Sequence, residues 1–190
     1  MTTAGLDTLK ILIVDGKRSN TKLLRGILMS LGIRNATSVE DSASALQYMA
    51  TDVYDVVFCD ETVGPLNPAV FAKTLRRDAT NRNHRVPVIL MSDAPQRRLV
   101  EIARDCGIND FLAIPLSVTT VKRKLEAVMF SQKEFVRAEN FVGPDRRRRG
   151  ADGEGAAAPA AVAQPDAKLG EGVPRKWRRR ASDETPGAAR

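Results

Sequence analysis

The sequence predicts an α/β fold: a doubly wound sheet of five parallel strands, followed by a C-terminal tail. Three observations predict it. Short apolar runs alternate with segments of helical spacing, the runs are rich in β-branched and aromatic residues, and the composition changes sharply after Asn140. Alternating strands and helices are typical of a parallel sheet covered on both faces. With 190 residues of which 43% are hydrophobic, the chain can build one ordinary core.

The strands are predicted from apolar runs too short for helices. Four runs indicate buried parallel strands, at residues 9–14, 54–59, 86–91 and 110–114. A fifth strand, second along the chain, is expected near residues 36–39, because that segment lies between two predicted helices.

The helices are predicted from apolar residues that recur at helical spacing between the strands. Their apolar faces comprise Leu23, Leu24, Ile27, Leu28 and Leu31; Ala43, Leu46 and Ala50; Val70, Phe71 and Leu75; Leu99, Ile102 and Ala103; and Val118, Val121, Leu125, Val128 and Met129. The last helix follows the break at Pro115 and, in one alternative, continues to Asn140. We therefore place a folded domain at residues 8–130 and a flexible tail at residues 141–190.

Charge and composition narrow the class of protein. The net charge of +7 favours an anionic partner. The N-terminus has no basic and apolar leader, and no apolar run reaches the roughly 18 residues of a membrane span. These features predict a cytoplasmic protein that does not insert into membranes. Cys59 and Cys106 lack the spacing of a metal site, which predicts reduced and buried thiols.

Parallel α/β sheets bind ligands at the carboxyl ends of their strands, which here carry Asp15, Asp60, Ser92 and Ile114. The surrounding segments are ILIVDG, YDVVFCDETVGP, PVILMSDAP and NDFLAIPLS. In this order and spacing they resemble the response-regulator receiver (CheY-like) family over residues 8–130.

The resemblance implies specific roles at this edge. Asp60 matches the phosphoacceptor, Asp15 one acidic partner, and Ser92 the hydroxyl that binds the phosphoryl group. Mg²⁺ would be held by Asp15, Asp60 and the carbonyl of Thr62.

Three positions depart from the family pattern. Gly16 replaces the second acidic residue, Ile114 replaces a lysine, and Phe111 stands at an aromatic switch position without a hydroxyl. The pattern therefore supports Mg²⁺ only weakly and predicts weakened phosphoryl chemistry. Two alternatives stay open, an inherited polar pocket without chemistry and residual phosphorylation.

The tail combines a linker-like composition with two basic clusters. Gly, Ala, Pro and charged residues predominate, which predicts disorder without a ligand. A merely solvated tail, a nonspecific polyanion patch and a specific phosphate-ligand site are the alternatives. Acidic neighbours of both clusters and the single Trp favour a specific phosphate-ligand site. Carboxylates suit the N1 and N2 donors of guanine, and arginines suit phosphates and the O6 and N7 acceptors of guanine. An indole stacks on purines. The predicted ligand-binding residues are Asp145, Arg146, Arg147, Arg148, Arg149, Arg175, Trp177, Arg178, Arg179, Arg180 and Asp183.

The whole arrangement resembles the Cle group of CheY-like cyclic di-GMP effectors, whose arginine-rich stretch binds the dinucleotide. The resemblance implies a non-enzymatic effector that relays cyclic di-GMP binding to a protein partner such as the flagellar motor switch. Nucleic acid is not the expected partner. The alternative is a phosphorylation-dependent single-domain regulator with a nonspecific polyanion-binding tail. An enzyme has little support, since the tail lacks a paired nucleophile and base.

Overall fold

The computed structural model describes residues 6–93, 105–130, 135–138 and 141–145. Its strands are β1 (Lys10–Val14), β2 (Asn35–Val39), β3 (Val56–Asp60), β4 (Val88–Ser92), β5 (Asp110–Ala113), β6 (Phe135–Ala138) and β7 (Phe141–Pro144). Its helices are α1 (Arg18–Ser30), α2 (Ser42–Thr51), α3 (Pro68–Arg77) and α4 (Val118–Phe130).

Five of the strands form one parallel sheet in the order β2-β1-β3-β4-β5. Every residue of β3 and β4 is buried, as expected for central strands covered on both faces. One apolar core includes Ala45 and Phe71 from α2 and α3, and the other includes Leu24 and Leu125 from α1 and α4. The predicted five-stranded parallel α/β fold is confirmed.

The second strand was the least obvious in the sequence, and the structure confirms it. β2 pairs in parallel with β1 over its full length, from Lys10 opposite Asn35 to Val14 opposite Val39. Only Val39 of β2 is fully buried. Because β2 lies at the edge of the sheet, it can contain mostly polar residues, and the sequence pattern therefore predicts this strand only weakly. The helix predicted around Leu99–Ala103 lies outside the described residues.

The C-terminal end of the domain differs from the prediction. α4 ends at Phe130, and the chain then forms an antiparallel hairpin of β6 and β7. The alternative in which the helix continues to Asn140 is therefore wrong, and residues 141–144, which we assigned to the tail, are a strand. The cause is tertiary: the guanidinium groups of Arg76 and Arg85 lie 5.3 and 5.5 Å from the centre of the Phe135 ring.

Two predictions about composition can be compared with the structure. Cys59 and Cys106 are both buried and form no disulfide, as predicted, and burial raises the pKa of the Cys59 thiol well above its usual range. Among the described helices, none is long and apolar enough to cross a membrane.

Candidate functional site

The carboxyl edge of the sheet gathers four predicted site residues. Asp15 follows β1, Asp60 ends β3 and Ser92 ends β4. The side chains of all three are almost completely withdrawn from solvent, at 3%, 1% and 0% exposure. Thr62, two residues beyond Asp60, is exposed, and its backbone N–H donates to Asp60 Oδ1. We call the pocket formed by these four residues the acidic pocket.

Asp60 is held in place by the turn that follows β3. Its Oδ1 accepts a hydrogen bond of 2.8 Å from the backbone N–H of Thr62 and another from the Thr62 hydroxyl. Its Oδ2 is buried without a hydrogen-bond partner. The ammonium group of Lys17 lies 3.8 Å from Oδ2 and forms the ion pair that faces this oxygen. Asp60 thus presents one carboxylate oxygen to a cation.

Asp15 is also held by hydrogen bonds with the backbone, and the pKa of its carboxyl is shifted. Its backbone N–H donates to the Val39 carbonyl at 3.0 Å, and its Oδ1 accepts from the Lys17 N–H at 2.7 Å. Its Oδ2 is buried without a hydrogen-bond partner. Burial raises the pKa of the Asp15 carboxyl, and repulsion from Asp60 raises it further, against the opposing effect of the Lys17 N–H. The pocket therefore holds two carboxylates that repel each other.

Lys17 was missed by the sequence analysis. Gly16 stands where a second acidic residue was expected, and the structure shows that the ammonium group of the next residue, Lys17, lies near Asp60. A basic residue directly after the Asp15-Gly16 pair was the available signal. A side chain at position 16 has limited room, because a Cβ there would lie 3.3 Å from the Glu40 carbonyl oxygen.

The sequence analysis also missed Glu61, which changes the interpretation of the Ser92 hydroxyl. Glu61 is only 3% exposed, and its Oε2 accepts a 2.7 Å hydrogen bond from the Ser92 hydroxyl. The hydroxyl that the family resemblance assigns to a phosphoryl group therefore already has an anionic acceptor within the protein. A second acidic residue directly after Asp60, at the end of a buried strand, was the signal in the sequence, since such a side chain is rarely buried without a polar partner.

Ile114, which stands where the family has a lysine, contributes only to packing. Ile114 is partly buried and packs against the core beneath α1 and α4. Phe111 packs against the opposite core, beneath α2 and α3. Neither side chain can pair with a phosphoryl oxygen.

The acidic pocket fits a Mg²⁺ ion only incompletely. Asp15 Oδ2 and Asp60 Oδ2 lack hydrogen-bond partners and could each give one oxygen ligand, with the Thr62 carbonyl as a third. Within the described ranges, however, no group of three or more His, Cys, Asp or Glu side chains is placed to hold a metal. Water would have to complete the octahedron that Mg²⁺ requires, and the Lys17 ammonium competes for Asp60 Oδ2.

The repulsion within the acidic pocket leads to a testable prediction. Asp15→Asn is expected to stabilise the protein at pH 7 by about 1–3 kcal/mol, because the amide keeps the acceptor of the Lys17 N–H and removes a buried, unpaired charge. The raised pKa of Asp15 means that its ionised form opposes folding. The gain should therefore shrink as the pH falls through the folded-state pKa and vanish below the unfolded value of about 3.9.

Urea unfolding of both proteins from pH 3 to pH 8 measures this gain. Asp7→Asn removes an equal charge at an exposed position and should change the free energy of unfolding by less than about 0.5 kcal/mol at every pH. If Asp15→Asn instead lowers the free energy of unfolding at pH 7, the ionised Asp15 carboxylate does not oppose folding and the prediction is wrong.

A second polar cluster, absent from the sequence predictions, lies at the opposite edge of the sheet. The Arg76 side chain is 1% exposed and donates five hydrogen bonds, to the carbonyls of His84, Val86 and Gly107 and to Asn109 Oδ1, at 2.8–3.1 Å. Burial lowers its pKa to about 9, which leaves it cationic at neutral pH.

This cluster supports the hairpin that precedes the tail. A Cβ on Gly107, whose φ is +87°, would lie 2.9 Å from Arg76 Cγ and 3.1 Å from the Val142 carbonyl oxygen. The hairpin thus lies against the segment that enters β5. Asp145, the last described residue and the only predicted ligand-binding residue in the structure, follows β7 directly and is partly exposed. The other predicted ligand-binding residues, Arg146–Arg149, Arg175, Trp177–Arg180 and Asp183, lie outside the described residues.

Comparisons with known proteins agree on the domain. The family model described as "Response regulator receiver domain" matches residues 11–126. The chain is 25% identical over 120 residues to the chemotaxis protein CheY-3 of Vibrio cholerae, covering 63% of this chain and 91% of that protein. It is 26% identical over 127 residues to a probable chemotaxis protein CheY of Rhizobium etli, covering 67% and 97%.

Among solved structures, the chain is similar to the receiver domain of a sensor histidine kinase from Pseudomonas aeruginosa, whose structure has a magnesium ion coordinated in the active-site cleft. The TM-score is 0.58 at 27% identity, covering 65% of this chain and 98% of that one. The chemotaxis response regulator CheY4 of Vibrio cholerae matches at a TM-score of 0.58 and 19% identity, covering 63% of this chain and 98% of that one, which shows the shared fold.

Proposed function

The chain belongs to the response regulator receiver domain family, and from that premise we propose that it is a non-enzymatic signalling effector of the cytoplasm. In this proposal, the arginine-rich tail binds cyclic di-GMP, and the receiver domain relays the binding to a protein partner. The receiver would then serve as an output surface, and its input would come from the tail rather than from a phosphorylated Asp60.

The observation that carries the proposal is the hydrogen bond between Ser92 and Glu61. A receiver that responds to phosphorylation needs the hydroxyl at this position for the phosphoryl group, but here a buried carboxylate accepts it at 2.7 Å. A phosphoryl group on Asp60 would also meet the repulsion of that carboxylate, without the lysine that Ile114 replaces. Phosphorylation is thus disfavoured as the input, and another input is needed.

The tail offers an input of suitable chemistry. Its two basic clusters each have an acidic neighbour, Asp145 and Asp183, which a purely electrostatic binder of polyanions has no reason to keep. Arginines match the phosphates and the O6 and N7 acceptors of guanine, while a carboxylate matches the N1 and N2 donors. Trp177 supplies a stacking surface for a purine. A dinucleotide of guanine has all of these features.

The relatives suggest the kind of partner. The two relatives described above are named chemotaxis proteins, and we propose that this receiver binds a protein of the flagellar motor switch. Binding of the ligand near Asp145 would act on the partner through the hairpin, which is fixed to α3 by the Arg76 cluster.

Calorimetric titration of the full chain with cyclic di-GMP at fixed salt tests the proposal. We expect saturable binding that cyclic di-AMP does not reproduce, because adenine lacks the N1 and N2 donors of guanine. Equal binding of both dinucleotides would indicate a charge patch, and the absence of binding to cyclic di-GMP would refute the proposed ligand.

A phosphorylation-dependent regulator remains the second candidate function. The observation in its favour is the geometry of the acidic pocket itself, where Asp60 presents a buried Oδ2 next to Asp15 and Lys17. In this alternative the tail holds nucleic acid or another polyanion without specificity.

Phosphorylation assays separate the two candidates. Small phosphodonors with Mg²⁺ are expected to modify Asp60 poorly and to leave the affinity of the tail for its ligand almost unchanged. The double variant Gly16→Asp/Ile114→Lys should be modified about tenfold faster or more, since it returns a metal carboxylate and a cation for the phosphoryl oxygens.

The mass of the intact protein reports the phosphorylated fraction. Asp60→Asn in the same background should remove the signal, which identifies the modified residue. Rapid and nearly complete phosphorylation of the unaltered chain, with a shifted ligand affinity, would favour the second candidate instead.

A further inference from the structure

Lys17 contacts both carboxylates of the acidic pocket, each with a different part of the residue. Its backbone N–H donates to Asp15 Oδ1 at 2.7 Å, and its side-chain ammonium group lies 3.8 Å from Asp60 Oδ2. Asp15 follows β1, and Asp60 ends β3, the strand that pairs with β1. A single residue thus joins the acidic ends of two adjacent strands.

The backbone of Lys17 fixes the point from which its side chain extends. Lys17 directly precedes α1 with an extended backbone, at φ −93° and ψ 102°, and its carbonyl accepts a hydrogen bond of 3.1 Å from the Thr21 N–H. The N–H and the carbonyl of Lys17 are therefore both held. The side chain itself is 44% exposed and makes no capping hydrogen bond to the helix. A substitution of this side chain should therefore leave the core and the start of α1 intact.

The acidic pocket needs a positive charge. Asp15 Oδ2 and Asp60 Oδ2 are buried without a hydrogen-bond partner, and a carboxylate withdrawn from water is costly unless a cation pairs with it. The pair of Lys17 and Asp60 differs from an ordinary surface ion pair, because the Asp60 side chain is only 1% exposed and water screens the attraction less. An ammonium group is a compact charge that only donates hydrogen bonds. It can neutralise Asp60, but it gives no ligand to a metal.

Two features disfavour a divalent ion beside this ammonium group. Gly16 brings no carboxylate, so the pocket has one acidic ligand fewer than the family pattern provides. A Mg²⁺ ion coordinated by Asp60 Oδ2 would also share that oxygen with the Lys17 ammonium group, and two positive charges next to one buried oxygen repel each other. The Lys17 side chain and a divalent ion are therefore alternatives at Asp60.

We infer that Lys17 is the resident cation of the acidic pocket: its ammonium group takes the place of a divalent metal at Asp60 and makes the pocket select against Mg²⁺. In this role Lys17 is a positioning residue, because it acts on the Asp60 carboxylate. The inference does not depend on the ligand of the tail. It predicts a gain of function, since the pocket should accept Mg²⁺ once the Lys17 charge is removed.

Lys17→Met removes the charge and keeps a side chain of similar length. In metal-free buffer this variant should unfold at a lower temperature than the unaltered chain, because Asp60 loses its cation. Added Mg²⁺ should restore the melting temperature of the variant and bind to it at least about tenfold more tightly than to the unaltered chain, in which the ammonium group competes. Thermal unfolding measures the first effect, and Mg²⁺ titration of the Gly16 and Thr62 amide resonances measures the second.

Two variants of the full chain serve as controls. Lys17→Arg keeps the charge, and Lys22→Met removes an equal charge from an exposed position on α1. Neither should bind Mg²⁺ more than about twofold more tightly than the unaltered chain, because exposed charges are screened by water and salt. Equal gains in Lys17→Met and Lys22→Met would show a general effect of net charge. Equal Mg²⁺ affinity in Lys17→Met and the unaltered chain would show that Lys17 does not exclude the ion, and either result overturns the inference.

A double-mutant cycle tests the pair without any metal. In metal-free buffer, Lys17→Met should lower the melting temperature of the unaltered chain but have almost no effect in an Asp60→Asn background, because the amide has no charge to neutralise. If Lys17→Met lowers the melting temperature equally in both backgrounds, Lys17 stabilises another part of the domain and the inference is wrong.

Discussion

Replacing Arg76 by methionine is expected to lower the free energy of unfolding by about 2–4 kcal/mol and to release the β6–β7 hairpin from the domain. The arginine donates to three backbone carbonyls and to Asn109, and its 1% exposure leaves little access for water to take over those bonds. Each acceptor left unsatisfied costs about 1–3 kcal/mol, which is partly offset because a buried cation no longer has to be desolvated.

The hairpin responds because Phe135 packs on this guanidinium, at 5.3 Å from its centre. Urea unfolding measures the loss of stability, and hydrogen exchange of the β6 and β7 amides measures the release. Arg77→Met, at the next and exposed position, is the matched control and should cost less than about 0.5 kcal/mol. An Arg76→Met protein of unchanged stability, with a protected hairpin, would contradict the role assigned to the cluster.

Asp183→Ala is expected to weaken cyclic di-GMP binding about ten- to a hundredfold, although it makes the tail more positive. If the carboxylate accepts hydrogen bonds from guanine N1 and N2, its loss leaves those donors without a charge-assisted partner, at a cost of about 1.5–3 kcal/mol. A nonspecific electrostatic binder should instead hold its ligand equally well or more tightly after the same change.

The neighbouring acid supplies the matched control. Glu184→Ala changes the charge by the same amount one residue away and should leave the affinity within about twofold, within the scatter expected of a surface substitution. Calorimetry of these variants and of Arg180→Ala, with both cyclic di-GMP and cyclic di-AMP, completes the comparison. If Asp183→Ala binds as tightly as the unaltered chain while Arg180→Ala weakens both dinucleotides equally, guanine recognition by the tail is wrong.

The strands and the carboxyl-edge residues could be predicted because they depend on local patterns. Apolar runs such as VVFC of β3 are typical of central strands in a parallel sheet, which is covered on both faces. Once the strands are parallel, the residues that end them, Asp60 and Ser92 among them, must share one edge. The alternation of strands and helices therefore determined the fold and the location of the acidic pocket together.

Contacts between distant segments could not be predicted, because no local pattern records them. Glu61 and Ser92 are 31 residues apart, and only the pairing of β3 with β4 brings their side chains to 2.7 Å. In the same way, the apolar face of α4 does not reveal where that helix ends. The chain turns into the hairpin because the Phe135 ring finds Arg76 and Arg85 on other segments.

By itself, then, the sequence determined a five-stranded parallel α/β fold with two acidic residues at its carboxyl edge, because period and order along the chain are enough to specify them. The tertiary structure decided what surrounds those residues: the Glu61 carboxylate that accepts a hydrogen bond from Ser92, and the Lys17 ammonium group near Asp60. Charge interactions act over a few ångströms in space and are independent of separation along the chain. For that reason, the electrostatic character of the pocket emerged only when the strands were assembled.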